Sequence, residues 1–213
     1  NDGDFLLVQN QSIVGWIFDN IKNKSYLWNG VSGDKLETNT SLMTVSILCD
    51  TNKLNNILKE PFTEENNNNL LNIVSFYSIC QRDEKLDKKM EPFLTSVIKK
   101  AEENKYYNKI LDLLPPNVII KSNSPTLLTL LAKAIKEVYG YKEAIDWMQN
   151  FNSIDKFPEN MLSQTDKITL NLFIEWIEAL IKENNFRFAL QIYNMAIIKY
   201  PDNPKLTLLG AEI

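Results

Sequence analysis

Residues 170–203, LNLFIEWIEALIKENNFRFALQIYNMAIIKYPDN, read as two amphipathic helices joined by a tight turn. Phe173, Trp176, Ile177 and Leu180 fall at i, i+3, i+4 and i+7, which is one face of a helix. Glu175, Glu178 and Lys182 go mostly to other faces. Glu183, Asn184 and Asn185 interrupt the apolar pattern, and asparagine tolerates the left-handed backbone that ends helices. A second stripe follows, made of Phe186, Ala189, Ile192, Tyr193, Ala196 and Ile197. It stops at Pro201, which cannot continue a hydrogen-bonded helix. A link this short favours an antiparallel hairpin. Ala189 and Ala196 are small, so the second helix can approach the first closely, with Trp176 and Tyr193 filling the space beside them.

The hairpin resembles a tetratricopeptide repeat, a 34-residue helix–turn–helix unit with small and aromatic residues at set positions. The matching residues in the second helix are Ala189, Tyr193, Ala196 and Pro201, with Phe186 as the aromatic before it. Phe173, Trp176 and Leu180 match the first helix. Ile177 stands where the family has a small residue, and Asn184 stands at the turn glycine. Other segments repeat the pattern. Leu128, Leu131, Ala132 and Ile135 are followed by Gly140, then Tyr141, Ala144, Met148 and Phe151. A weaker hairpin precedes it, with Leu94, Val97, Ile98 and Ala101, then Tyr107, Ile110 and Leu114, closed by Pro115 and Pro116. Ile110 to Ala144 is one 34-residue period, but Ala144 to Ala189 is 45, so a loop is expected near 158–165.

Upstream, Leu54, Ile57 and Leu58 suggest a helix that ends at Pro61, with a further helical stretch through Leu42, Val45, Ile47 and Leu48. Thr63, Glu64, Glu65 and the run Asn66–Asn69 read as a polar loop, and a clear helix opens at Leu70. The mixed charges of 82–91 read as a solvated turn or helix face. In the first forty residues, Phe5–Val8 fits a strand or a helix start, and Ile13, Val14, Ile17, Phe18 and Ile21 follow helical spacing. Tyr26, Leu27 and Trp28 read as an extended piece before Asn29-Gly30, where a hairpin also fits, but helix followed by irregular chain is preferred. The expectation is an all-α fold, with a less regular N-terminal segment over 1–60 packed on a helical-hairpin array over 61–213. The resemblance implies that the array is a right-handed superhelix, a tetratricopeptide-like α-solenoid.

Composition bounds the chemistry. The 213 residues suit one large domain or two small ones and are 44% apolar and 23% charged, enough to build a core. There is no histidine, which removes the usual general base and the commonest metal ligand. The two cysteines, Cys49 and Cys80, lie in apolar runs and read as buried free thiols. No glycine-rich phosphate loop is present. An enzyme is therefore not expected, nor any cofactor. No apolar run reaches bilayer length. Low cysteine fits an intracellular setting, cytoplasmic or nuclear, or organellar if a targeting segment has been removed.

A protein partner is expected instead. Stacked hairpins present a surface lined by their first helices, and in the family a partner peptide or helix lies there. The resemblance places Thr126, Thr129, Lys133, Lys136 and Glu137 of one hairpin on that surface, with Asn171, Ile174, Glu178, Ile181 and Lys182 of the next. The family's chaperone-tail-binding members hold a carboxylate with Lys and Asn on the first helix. Ile174 and Glu178, or Thr129 and Lys133, stand there instead and argue against that role. The alternative is RNA binding of the pentatricopeptide or half-repeat kind. The net charge of −4 gives no footprint for it, and the densest cations, Lys85 to Lys109, are interleaved with Asp83, Glu84, Asp87, Glu91, Glu102 and Glu103. Leu206, Leu208, Leu209 and Ile213 begin a further helix whose apolar side chains need cover, so the array is expected to continue beyond Ile213.

Overall fold

The computed structural model describes segments 4–6, 15–19, 24–28 and 35–38, and residues 51–79, 84–151, 154 and 157–213. Cys49, Cys80 and the expected helix through Leu42–Leu48 lie outside the described residues. Among the described residues there are four strands and ten helices, and no helix is long and apolar enough to cross a membrane. The chain divides into two compact units: 1–104 with 112–122, and 105–111 with 123–213.

The first unit opens with an antiparallel sheet in the order β1-β2-β3-β4. Its strands are β1 (Asp4–Leu6), β2 (Gly15–Asp19), β3 (Lys24–Trp28) and β4 (Lys35–Thr38). Phe5 lies opposite Ile17, Ile17 opposite Tyr26, and Tyr26 opposite Glu37. This corrects the all-α expectation for the N-terminal segment: the helix read through Ile17 and Phe18 is a strand. The runs GWIFD and KSYLW are short and rich in aromatic and β-branched residues, which suit a pleated surface. Each is also close enough in sequence to pair with its neighbour through a short connection. Five apolar residues at helical spacing did not outweigh that.

The same unit continues as helices α1 (Thr51–Lys59), α2 (Glu64–Ile79) and α3 (Glu84–Glu103), and later α5 (Pro116–Ser122). Helix α4 (Tyr107–Leu113) follows α3 in the chain. Helix α1 packs on α3, and α5 packs on both α2 and α3. Leu70, Ile73, Tyr77, Leu94, Val97, Ile98, Val118 and Ile119 are buried in the core. Helix α2 begins before Leu70 and takes in the asparagine run, correcting the expected loop. Thr63 makes this work: its carbonyl accepts from Asn67 N–H (2.8 Å) and its Oγ1 accepts from Asn66 N–H (3.3 Å). Glu64 and Glu65 then sit in the first turn, where the helix dipole favours carboxylates. Lys100 on α3 reaches back to the C-terminus of α1, donating to the Leu58 carbonyl and to that of Lys59 (3.1 Å).

The second unit holds α6 (Pro125–Tyr139), α7 (Tyr141–Phe151), α8 (Glu159–Lys182), α9 (Phe186–Lys199) and α10 (Pro204–Glu212). Each packs on the next, and α8 also touches α6 and α10. Local chemistry sets several of the boundaries. Ser124 caps α6 by accepting from Leu127 N–H, and Pro125 sits at the first helical position. A single residue, Gly140, separates α6 from α7; its φ of +99° is open to glycine and strained for other side chains. Helix α8 ends in paired bonds, Asn185 N–H to Leu180 O (2.8 Å) and Asn184 N–H to Ile181 O (2.9 Å), with Asn184 left-handed at φ 59°. Asn203 caps α10 by accepting from Lys205 N–H and Leu206 N–H, both at 3.1 Å.

The α8/α9 hairpin is antiparallel. Phe188, early in α9, meets Trp176 edge-on with centroids 5.7 Å apart, while Tyr200, just past its end, meets Phe173. Ala189 and Ala196 are fully buried at the contact. The loop expected near 158–165 is instead the first third of α8. Met161, Thr165, Ile168 and Leu172 form a buried stripe there. Thr165 belongs to it because its hydroxyl donates to Leu162 O (2.7 Å), and the neighbouring Thr169 hydroxyl likewise donates to Thr165 O (2.7 Å). With its polar atom satisfied on its own helix, a threonine occupies an apolar position. Helix α10 buries Leu206 and Leu209, and Gly210 lies under the Tyr193 ring.

Two stability tests follow from this packing. Ala189→Arg is expected to lower stability by about 1–3 kcal/mol or more, through overpacking and a buried unpaired charge. Lys182→Ala, on an exposed side chain, is expected to stay within about 0.5 kcal/mol. Equal thermal midpoints would mean the packed face of α9 is misplaced. For α10, a methyl group on Gly210 would sit 2.6 Å from Tyr193 Cζ. Gly210→Ala should forfeit the roughly 1 kcal/mol that alanine ordinarily adds to a helix. In a Tyr193→Ala background the same change should be stabilising, a sign reversal readable from a double-mutant cycle of melting temperatures.

Candidate interaction cleft

Between α6 and α8 lies a cleft of about 250 Å³. Ala132 on α6 and Ile168 and Leu172 on α8 form part of its lining and are nearly buried, an apolar floor. Thr129, Lys133 and Lys136 line it from α6, and Asn171 and Glu175 from α8. Two polar bridges join the helices. Gln164 Nε2 donates to Thr129 Oγ1 (3.3 Å), and Lys136 Nζ donates to Glu175 Oε2 (2.9 Å). Both bridges ascend the two helices in the same direction, so α6 and α8 run parallel here.

The Lys136 bridge is partly shielded from water. The lysine side chain is 18% exposed and that of Glu175 48%. Lys136 also lies 3.5 Å from Glu137 and 5.4 Å from the centre of the Tyr141 ring, which stacks flat on Trp176. Burial disfavours the Lys136 ammonium, but the hydrogen bond and charge of Glu175 outweigh it, helped by Tyr141 and Glu137. Lys136 is therefore held above the usual lysine value. Burial also pushes the Tyr141 phenol up; Lys136 opposes the rise, and Glu175, Glu137 and Glu178 add to it.

Four of the residues assigned from the sequence converge here: Thr129, Lys133, Lys136 and Asn171. Glu137 is at the edge, bound to Lys136. Glu178 is drawn toward α10 by Lys205, 2.9 Å away, while Lys182 and Thr126 are exposed outside the lining. Ile181 is half-buried. Ile174 is buried at 6% exposure, which corrects its placement on the partner-facing surface. Glu175 was missed. Its signal is the spacing Ile168, Asn171, Leu172, Glu175, a clean i, i+3, i+4, i+7 face, which an apparent helix start near 170 hides.

The Thr129 hydroxyl donates to the Pro125 carbonyl (2.8 Å). Among the described residues there is no group of three or more metal-ligating side chains. The cleft's volume falls below the roughly 300–1,000 Å³ of small-molecule sites. No known family matches the chain, and neither curated proteins nor solved structures match it.

The Lys136–Glu175 bridge carries its own test. Glu175→Gln removes the dominant opposing influence and leaves burial, so Lys136 should titrate lower than in the wild type, measured by nuclear magnetic resonance of the lysine Nζ. Because the folded-state value is raised, the bridge stabilises fully below the ordinary lysine pKa of 10.5 and is lost as pH rises through the raised value. Glu175→Gln should cost about 0.2–1 kcal/mol at pH 8, and the difference should shrink above that pH window.

Proposed function

We propose that this chain is a protein–protein interaction or scaffold module, a subunit or adaptor of a multiprotein complex. It holds a partner peptide or helix on a tetratricopeptide-like surface. The observation that supports this most is the α6/α8 cleft, with an apolar floor at Ala132, Ile168 and Leu172 and polar walls at Thr129, Lys133 and Asn171. Such a lining takes an apolar side chain into the floor and orients the partner backbone with hydrogen bonds at the rim. The parallel α6 and α8 support this reading, since hairpins of the tetratricopeptide kind set their first helices side by side. Nearest-neighbour stacking of this kind extends a surface along the array.

The RNA-binding alternative draws on the lysines of 85–109, of which Lys100 already caps α1. The two readings separate in one experiment. A photoreactive residue at Asn171, in the cleft, should crosslink a protein partner in cells, while the same residue at exposed Lys167 should not. Lys133→Glu should abolish the Asn171 crosslink. Crosslinking from both positions, or capture of RNA rather than protein, would overturn the proposal.

A further inference from the structure

Helices α7 and α9 play equivalent parts in successive hairpins, and Ala144 and Ala189, both fully buried, align them. In that alignment the outer face of α7 is Lys142, Glu143, Asp146 and Asn150, all exposed. Lys142 and Asp146 form an i,i+4 ion pair across it (2.6 Å). This is how a solvated helix face looks.

The corresponding face of α9 is different. Arg187, Phe188, Gln191 and Met195 replace those four residues, and Ile198 extends the row. Phe188, Gln191, Met195 and Ile198 are spaced by three, four and three residues, the seam of a helix that pairs with another helix. Phe188 is 39% exposed, Met195 57% and Ile198 84%. The edge contact with Trp176 holds the Phe188 ring in place. Arg187 and Lys199 flank the seam on opposite sides, and α9 carries no acidic residue.

We propose that the outer face of α9 is a second docking surface, distinct from the α6/α8 cleft, and that it receives an amphipathic helix whose apolar seam is flanked by acidic side chains. The charge pattern selects this occupant. Two copies of α9 would bring only cations together, which disfavours self-pairing. Adsorption to an anionic lipid surface calls for clusters of about 4–8 cations, and α9 has two. A helix with glutamates beside its seam complements both Arg187 and Lys199, the latter shared with Asp166 at 3.3 Å.

The test uses the full chain and two designed helical peptides with identical leucine seams, one flanked by glutamates and one by lysines. In fluorescence anisotropy the glutamate peptide should bind at least about tenfold more tightly than the lysine peptide, equivalent to about 1.4 kcal/mol. Ile198→Ser should weaken binding about tenfold with an unchanged melting temperature, because the side chain is exposed. Arg187→Glu should narrow or reverse the preference between the peptides. Equal binding of both peptides, or insensitivity to Ile198→Ser, would overturn the proposal. Concentration-dependent dimerisation abolished by Ile198→Ser, or binding to phosphatidylserine vesicles in preference to the peptide, would overturn it in favour of a second copy or a membrane.

Discussion

The close contact of α8 with α9 at Ala189 and Ala196 is what the second unit depends on. Two alanines remove the bulk that would keep the helices apart, and the left-handed Asn184 turns the chain sharply enough to bring them together. Once α9 lies on α8, its C-terminus is fixed. The Tyr200 hydroxyl donates to Asp166 O (3.3 Å), and Lys199 pairs with Asp166. Tyr193 is then positioned to receive Gly210 of α10. Each later element packs on a surface that the earlier contact creates.

The same hairpin sets up both candidate surfaces. Helix α8 faces α9 with Phe173, Ile177 and Leu180 and has Ile168, Asn171, Leu172 and Glu175 left to form the wall and floor of the cleft with α6. The aromatic sequence Tyr141, Trp176, Phe188 links α7, α8 and α9, and Lys136 lies over its first ring. The cleft's charged bridge and the α9 seam are thus tied to one chain of ring contacts. A loss of Trp176 packing would loosen both.

What the sequence revealed was governed by how many physical signals agreed. At 170–203 apolar spacing, turn chemistry and a terminal proline all pointed the same way, and α8 and α9 end where they indicated. Around Ile17 and Phe18 apolar spacing fits a helix, while aromatic and β-branched content and short-range pairing fit a sheet, and Gly15–Asp19 is a strand. The asparagine run of α2 was obscured by its low helix propensity, which the Thr63 cap and first-turn glutamates offset. In α8 two threonines masked a buried stripe, because their hydroxyls are satisfied within the helix. That shifts the apparent start of the helix and hides Glu175 from the face that lines the cleft; Thr129, Lys133, Lys136 and Asn171 lie in that lining, and Ile174 is buried.

Native-state hydrogen exchange of the full chain tests most directly whether the α8/α9 contact organises the second unit. The account predicts that central amides of α6, α7, α8 and α9, such as those of Leu131, Ala144, Ile177 and Ile192, open with one common free energy. Only α10 should exchange at lower cost, because Leu206 and Leu209 alone are buried along it. If α6 and α7 stay protected while α8 and α9 exchange independently, the hairpins are separate units, and the contact at Ala189 and Ala196 does not hold the cleft together.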